Sequence, residues 1–479
     1  MGRRTRIDAA ALAPVLLFAA AFALRFPHFG DPAYDLDEQF YLFAGDRLLH
    51  GALPYVDIWD RKPIGLFLLY AGIRLLGGAG IWQYQIVATV FAGATAWTIA
   101  RLARPTAGHA GAIAAGTAYL VWIETVCGGG GQAPVFYNLL VALAAERVLA
   151  ARIAADEERF ACEGRRAMLW VGLALQIKYT VVCEAVYFGL VLAWWSVRRL
   201  DKRAAWLHVC TLALIALAPT FAAGLAYAAM GQWQAFWFAN FVSIFSRTQI
   251  DASAAHVRLG QIALQFLPLA VCWIASAFEQ RRELRGDAPF LFGWMIAAVA
   301  GFASIGIFYV HYALPLFVPA TIAAAPIFRR RPIGPVMAAL LLLLPASQLG
   351  YPDLRTTIEH RRAVSRLAAL IPGDVRDRCL QVFDGPPILY LETHACLASR
   401  FPFPDHLTSL RESRALGIDR RGEIDRLFAS RPAAVVIGSY TNGTDRALDR
   451  LVRGKLAARY RLVGSVALDG LPIGVFVPR

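Results

Sequence analysis

The chain has 479 residues, 58% of them hydrophobic and 17% charged, with a mean hydropathy of +0.49. Soluble globular domains carry about half apolar and about a quarter charged residues, so this composition excludes an ordinary soluble protein and points to a polytopic membrane protein. The 48 Lys+Arg against 34 Asp+Glu give +14; because the arginines cluster between apolar spans, the excess reads as the positive-inside pattern and not as a nucleic-acid surface.

A bilayer core about 30 Å thick needs about 20 apolar residues per helix. The first such run, Ala9–Phe26, follows the basic segment MGRRTR and lacks a small-residue cleavage site, so it is expected to remain as the first helix. Next comes Asp31–Lys62, DPAYDLDEQFYLFAGDRLLHGALPYVDIWDRK, with seven carboxylates interleaved with Phe40, Tyr41, Phe43, Tyr55, Ile58 and Trp59. A merely solvated loop has little use for those apolar groups. From Glu38 to His50, Phe40, Tyr41, Ala44 and Leu48 recur at helical spacing, which predicts a helix lying on the membrane interface. Pro63–Leu76 is also apolar, but a crossing there would invert every later basic loop, so it is expected as an interfacial helix at 63–76.

Further spans are expected at 81–103, 106–127, 132–153, 206–228, 259–278, 289–308, 311–328 and 333–350. In the run 167–197, Lys178 and Tyr179 fall at the centre, which predicts two half-length helices, 167–177 and 180–197, meeting at Lys178. Charge at the bilayer centre costs several kcal/mol, so Lys178 is expected to face a cavity or the interface. With these segments the chain crosses about eleven times. The short basic segments MGRRTR, 101–105, 165–167, 198–203, 280–285 and 329–332 are assigned to the cytoplasmic face. Asp31–Lys62, the loops around Gly128–Gly131 and Gly231–Arg258, and everything after Tyr351 are then external.

After Tyr351 the sequence turns charged and mixed. Strand-like 381–383, 433–438 and 474–477 alternate with helical patterns at 355–370 and 445–459, so residues 351–479 are expected to form a small external α/β domain after a transmembrane domain at 1–350. Cys379 and Cys396 both fall there, where oxidising conditions favour a disulfide, and no Cys/His set has zinc spacing.

Asp35, Asp37 and Glu38 sit just beyond the first helix. An ionised carboxylate there can take a proton from an acceptor hydroxyl or ligate a divalent cation, and acids also favour a helix N-terminus. Asp37 and Glu38 are the candidate metal pair. The later PYVDIWDRKP brings Tyr55, Asp57, Asp60, Arg61 and Lys62 up to a proline that restricts the chain. Lys62 at headgroup level offers a point charge to a phosphate or to anionic lipid headgroups.

The stretch DEQFYLFAGDRLLHGALPYVDIWDRKPIGLFLLYAGIRLLG resembles the first external loop of the GT-C membrane glycosyltransferases, specifically the glycosyltransferase 39 group of protein O-mannosyltransferases and bacterial lipid A aminoarabinose transferases. In that group an acidic pair followed by xxY, a later G-x-x-P-Y-x-D, and K-P-P or K-x-P before an apolar helix recur in this order. Here Lys-Pro-Ile replaces Lys-Pro-Pro. LALQIKYT at 173–180 and VHYALPLFVPATIAA at 310–324 extend the similarity loosely.

The resemblance implies a mainly α, GT-C-type fold with a small external α/β domain, integral to the bacterial inner membrane. It implies transfer of a hexose or pentose from a polyprenyl-phosphate donor to a glycan, lipid or protein acceptor on the outer face, with inversion. Asp37 carries over as general base or metal-organising acid, with Glu38 beside it and Asp35 as rival. Lys62 and Arg61 carry over to the donor phosphate, and Lys178, Arg247, His256, His311 and Tyr312 become more distant candidates for phosphate or headgroup contacts. A divalent metal ion is the one cofactor considered; membrane lipids are partners and nucleic acid is not. The competing class, a lipid-linked-sugar transporter or flippase, commonly shows inverted repeats and paired broken helices around a midplane site. One broken hairpin and carboxylates gathered at one surface favour the enzyme.

Overall fold

The computed structural model describes residues 9–248, 251–279, 287–349, 353–439 and 443–479; the basic segments MGRRTR and 280–285, and Tyr351, lie outside the described residues. In chain order α1 (Ala9–Arg25), α2 (Leu36–Leu49) and α3 (Ile64–Arg74) precede α4 (Ile81–Glu124), α5 (Ala133–Arg152), α6 (Glu157–Leu175), α7 (Val182–Arg199) and α8 (Lys202–Ala229). Then come the short α9 (Trp233–Trp237), α10 (Ala252–Glu279), α11 (Ala288–Ala303), α12 (Phe317–Ala324), α13 (Ile333–Leu349) and α14 (Leu354–Leu370). The remainder is α15 (Val375–Arg378), β1 (Leu380–Val382), α16 (Leu389–Glu392), α17 (Arg420–Ala429), β2 (Ala434–Ile437), α18 (Arg446–Arg459), β3 (Tyr460–Leu468) and β4 (Leu471–Pro478).

By its internal contacts the chain divides into two compact units: Met1–Pro27 with Ile86–Ala223 and Asp251–Pro352, and His28–Gln85 with Gly224–Ile250 and Asp353–Arg479. The composition change near 350 therefore does not coincide with the division by contacts, which groups the first loop with the C-terminal residues.

In the first unit, length decides what can cross. Six helical segments among the described residues are long and apolar enough for a membrane span. As one rod the 44-residue α4 would run about 66 Å, twice a bilayer core. Gly108 interrupts it at φ 69°, ψ −176°, so it supplies the two spans expected at 81–103 and 106–127.

The bend at Lys178 differs from expectation. Asp156 caps α6 by accepting from the Arg159 N–H at 2.7 Å, and Glu163 pairs with Arg147 at 3.2 Å and Arg166 at 3.1 Å. Capping and ion pairing keep these charged turns helical, so Arg165 and Arg166 lie within a 19-residue helix and not in a loop. At 1.5 Å per residue α6 and α7 are each about 27–28 Å long, span length and not half-length, which moves Lys178 from the middle of a span to its end.

In the second unit α2 is not a bare interfacial helix. Phe40 through Ala44 are all buried; Phe40 meets Phe67 of α3 at 6.4 Å and Phe403 at 5.3 Å, and Phe43 meets Tyr390 at 5.1 Å. Five consecutive buried residues use more than one helical face, and each face finds a protein partner. The 11-residue α3 is about 16 Å long, too short to cross.

The four-stranded sheet has the order β1-β2-β4-β3, with β1 and β2 parallel and the other pairs antiparallel. The strands expected at 381–383, 433–438 and 474–477 are present as β1, β2 and β4. β3, which the sequence reading missed, pairs with β4 across Asp469-Gly470, both at positive φ (52° and 75°), the signature of a type I′ hairpin turn. The core of this part joins Phe383, Phe401, Leu427, Phe428 and Val435 to Trp59 from the first loop, whose N–H donates to the Arg400 carbonyl at 2.8 Å. Cys379 and Cys396 form a disulfide with Cα atoms 4.4 Å apart. His360 of α14 bridges Asp31 and Asp469, each at 2.8 Å, while Arg361 donates to the Gly30 carbonyl at 2.7 Å.

Candidate functional site

The N-terminus of α2 separates the three neighbouring acids into different environments. Asp35 is the N-cap, its side chain accepting from the Asp37 N–H at 2.8 Å, which fixes the first turn. Glu38 points inward and is fully buried; burial first, and then the Glu38 charge, raise the Tyr70 hydroxyl well above its ordinary value. Asp37 is only partly buried and faces Lys62, whose Nζ lies 3.9 Å from Asp37 Oδ1 and 3.9 Å from Asp60 Oδ1.

The turn before α3 sets Lys62 in place. Asp60 Oδ1 accepts from the backbone N–H groups of Arg61 and of Lys62, the latter at 3.1 Å. Tyr55, at φ 70°, donates its hydroxyl to the Lys62 carbonyl at 2.8 Å. The Lys62 ammonium also sits 5.2 Å from the centre of the Tyr41 ring. Asp57 is exposed and accepts from the Leu53 N–H at 2.7 Å, so it closes the turn.

Arg61, a candidate for the donor phosphate, is engaged within the protein. Its guanidinium stacks 4.8 Å over Trp59 and its Nε donates to Ser243 Oγ at 3.2 Å. Its fork grips Glu412, Nη1 to Oε1 at 3.0 Å and Nη2 to Oε2, while Arg247 Nη2 reaches Glu412 Oε1 at 2.9 Å. Burial pushes the Glu412 carboxyl up, but the two guanidiniums outweigh it and hold the group at about 2. His406, edge-on to Trp59 at 4.9 Å, is pushed down to about 4 by burial, and so is neutral near pH 7. Sequence reading missed Ser243, His406 and Glu412; nothing local marks them, since each acquires its part through residues more than 150 positions away.

In the first unit Lys178, His311 and Tyr312 come together. Lys178 Nζ lies 4.0 Å above the Tyr312 ring and His311 packs edge-on against Tyr312 at 4.7 Å. A small cavity beside them is lined by Tyr137, Lys178, Thr180, Glu184 and Tyr312, where Glu184 Oε1 accepts from Trp294 Nε1 at 2.7 Å. His256 is exposed, with Nδ1 2.6 Å from the Ala252 carbonyl one turn back. Arg25, unremarked in the sequence reading, is wholly buried: it donates to the carbonyls of Gly128 and Gly130 and pairs with Glu124 at 3.3 Å, fixing the glycine-rich turn. A charge in the last turn of an apolar helix was its available signal.

Of the candidate metal pair, Asp37 faces Lys62 while Glu38 is buried within the unit. Among the described residues no group of three or more His, Cys, Asp or Glu could hold a metal ion. With one carboxylate beside a lysine and the other buried, this donor set does not fit a resident divalent ion.

Residues 60–222 match the family model of dolichyl-phosphate-mannose-protein mannosyltransferase, a stretch that includes Lys62 and Lys178 but not Asp37. No curated protein sequence matches the chain. Among solved structures it is similar to ArnT from Cupriavidus metallidurans in the apo state, at 15% identity with a TM-score of 0.66, covering 98% of each chain. The same protein bound to undecaprenyl phosphate matches at 15% identity with a TM-score of 0.59, covering 98% of this chain and 97% of that one. An Archaeoglobus fulgidus oligosaccharyltransferase in the apo form is similar at 11% identity with a TM-score of 0.54, covering 91% of this chain and 70% of its own. The chain has an ArnT-like fold: mainly helical, integral to a membrane, with a small C-terminal sheet.

Proposed function

We propose that this protein is a membrane glycosyltransferase that moves a sugar from a polyprenyl-phosphate donor to an acceptor hydroxyl, with Asp37 as general base and Lys62 on the donor phosphate. The observation that carries the reading is the approach of Lys62 to Asp37, 3.9 Å, at the ends of two packed helices in a chain of this fold. A carboxylate beside a cation is the minimum needed to deprotonate one partner and to balance charge on the other. Asp37 takes the acceptor proton as the acceptor oxygen bonds to the anomeric carbon; the bond from that carbon to the phosphate oxygen breaks, and the pair of electrons leaves with the polyprenyl phosphate. Lys62, with Arg247 as a second cation, balances the charge gathering there. Attack opposite the leaving group inverts the anomeric centre.

The basic segments between spans support an orientation with the Asp31–Lys62 loop outside the cytoplasm, in a bacterial inner membrane. The acceptor is a glycan, lipid or protein. Lys178, His311 and Tyr312 form a separate cluster suited to a phosphate or lipid headgroup. Purified protein in lipid, supplied with radiolabelled polyprenyl-phosphate sugars and candidate acceptors, tests the reading. Label transferred to an acceptor supports it; label carried across a vesicle membrane with the donor intact sinks it in favour of a flippase.

A further inference from the structure

Three distant segments converge on one buried carboxylate. Glu412 holds Arg61 by a two-pronged contact and Arg247 at 2.9 Å. The segment carrying Arg247 is itself seated on the residues around Glu412: Ser243 Oγ donates to the Ala415 carbonyl at 2.7 Å, the Thr248 N–H donates to the Arg411 carbonyl at 3.1 Å, and Thr248 Oγ1 lies 2.8 Å from Ser413 Oγ. Ser243 also accepts from Arg61 Nε, closing a ring between the three segments.

We infer that Glu412 is a positioning residue for donor-phosphate binding, holding Arg247 in place and fixing Lys62 through its chain neighbour Arg61. This deepens the proposed transferase reading and rests on it. The physical case begins with charge. Two guanidiniums share one carboxylate away from water, and that carboxylate offsets their mutual repulsion; without it both must find other partners or move apart. Geometry carries the effect to Lys62. Asp60 Oδ1 accepts from the backbone N–H groups of both Arg61 and Lys62, so a swing of Arg61 turns the peptide that aims Lys62. Glu412 acts through Arg247 and Lys62, which meet the donor phosphate both as it binds and as it leaves, so its removal is expected to weaken donor binding and to slow the chemical step by a smaller factor.

Glu412→Gln keeps the shape and removes the charge. Two measurements on full-length protein in lipid test it: the thermal shift given by polyprenyl phosphate without sugar, and the split between donor KM and kcat. The expected result is a lost or reduced lipid shift and a donor KM raised about tenfold, with a fall in kcat smaller than the rise in donor KM. Glu412→Asp, which keeps the charge on a shorter arm, should fall between the two and carries the test where the Gln variant does not fold. A variant less stable than wild type but equal to it in lipid shift and donor KM makes Glu412 a structural tie only and overturns the inference. Wild-type protein that neither binds polyprenyl phosphate nor transfers sugar overturns the functional reading as well.

Discussion

Replacing His360 by Asn should remove a pH-dependent part of the protein's stability. The imidazole bridges Asp31 and Asp469, and those hydrogen bonds outweigh burial to raise it from 6.5 to about 10. A rise of that size corresponds to roughly 4–5 kcal/mol between the two protonation states. Asp469 is 66% exposed, and water screens its share, so about 2 kcal/mol is the working figure. The folded value lies above the unfolded one, so the contribution is fully present below pH 6.5 and fades as pH rises through about 10. Thermal unfolding of wild type and His360→Asn in the same detergent, at pH 6, 7.5 and 9, cancels the titration of groups that do not touch His360. Wild type should lead most at pH 6 and progressively less toward pH 9; a lead that is constant or grows with pH refutes the reasoning.

Asp37→Asn should cost 10²–10⁴-fold in transfer while the protein stays folded; Asp35→Asn, which still caps α2, and Glu38→Gln run as controls, and activity surviving in Asp37→Asn but lost in Asp35→Asn shifts the role to Asp35. Lys62→Ala should raise donor KM more than acceptor KM, since its proposed partner is the phosphate; equal effects on both would count against that assignment. Cys396→Ser opens a loop spanning 17 residues of separation and should destabilise the C-terminal part by roughly 3 kcal/mol, visible as earlier protease cleavage after position 353 with no change in reducing buffer.

Much of the helical layout was legible because apolar length is a one-dimensional signal: α1, α5, α8 and α10 lie close to the expected spans. The hydropathy reading failed at α6, where capping by Asp156 and the pairs made by Glu163 keep a charged segment helical. Asp469-Gly470 was a readable hairpin signal; β3 itself, with only Tyr460 buried, carries little of the apolar alternation that marks a strand. The candidate site divides the same way. The order of Asp37, Asp60 and Lys62 along the chain marks that loop, yet which of three acids meets the lysine depends on which one caps, which one is buried and which one remains. Glu412 carries no local signal at all, because its meaning lies in Arg61 and Arg247.

The base and the cation proposed here stand at the adjoining ends of α2 and α3, so their separation is set by helix packing and not by a loose loop. Gly45 leaves no room for a side chain in that packing: a Cβ there would lie 2.6 Å from the Ala71 backbone nitrogen and 2.7 Å from the Tyr70 carbonyl carbon. Backbone atoms cannot swing aside as a side chain can, so Gly45→Ala must push α2 away from α3, and overpacking of this kind typically costs 1–3 kcal/mol. Gly72, in α3 itself, has nothing within 4 Å of its would-be Cβ, so Gly72→Ala should be harmless to both fold and activity. If the Asp37–Lys62 approach is what the active site needs, Gly45→Ala should lower kcat/KM by more than its loss of folded protein explains, measured on the fraction that remains folded. A Gly45→Ala protein whose folded fraction transfers sugar at the wild-type rate would mean that the spacing of these two helices does not set the chemistry.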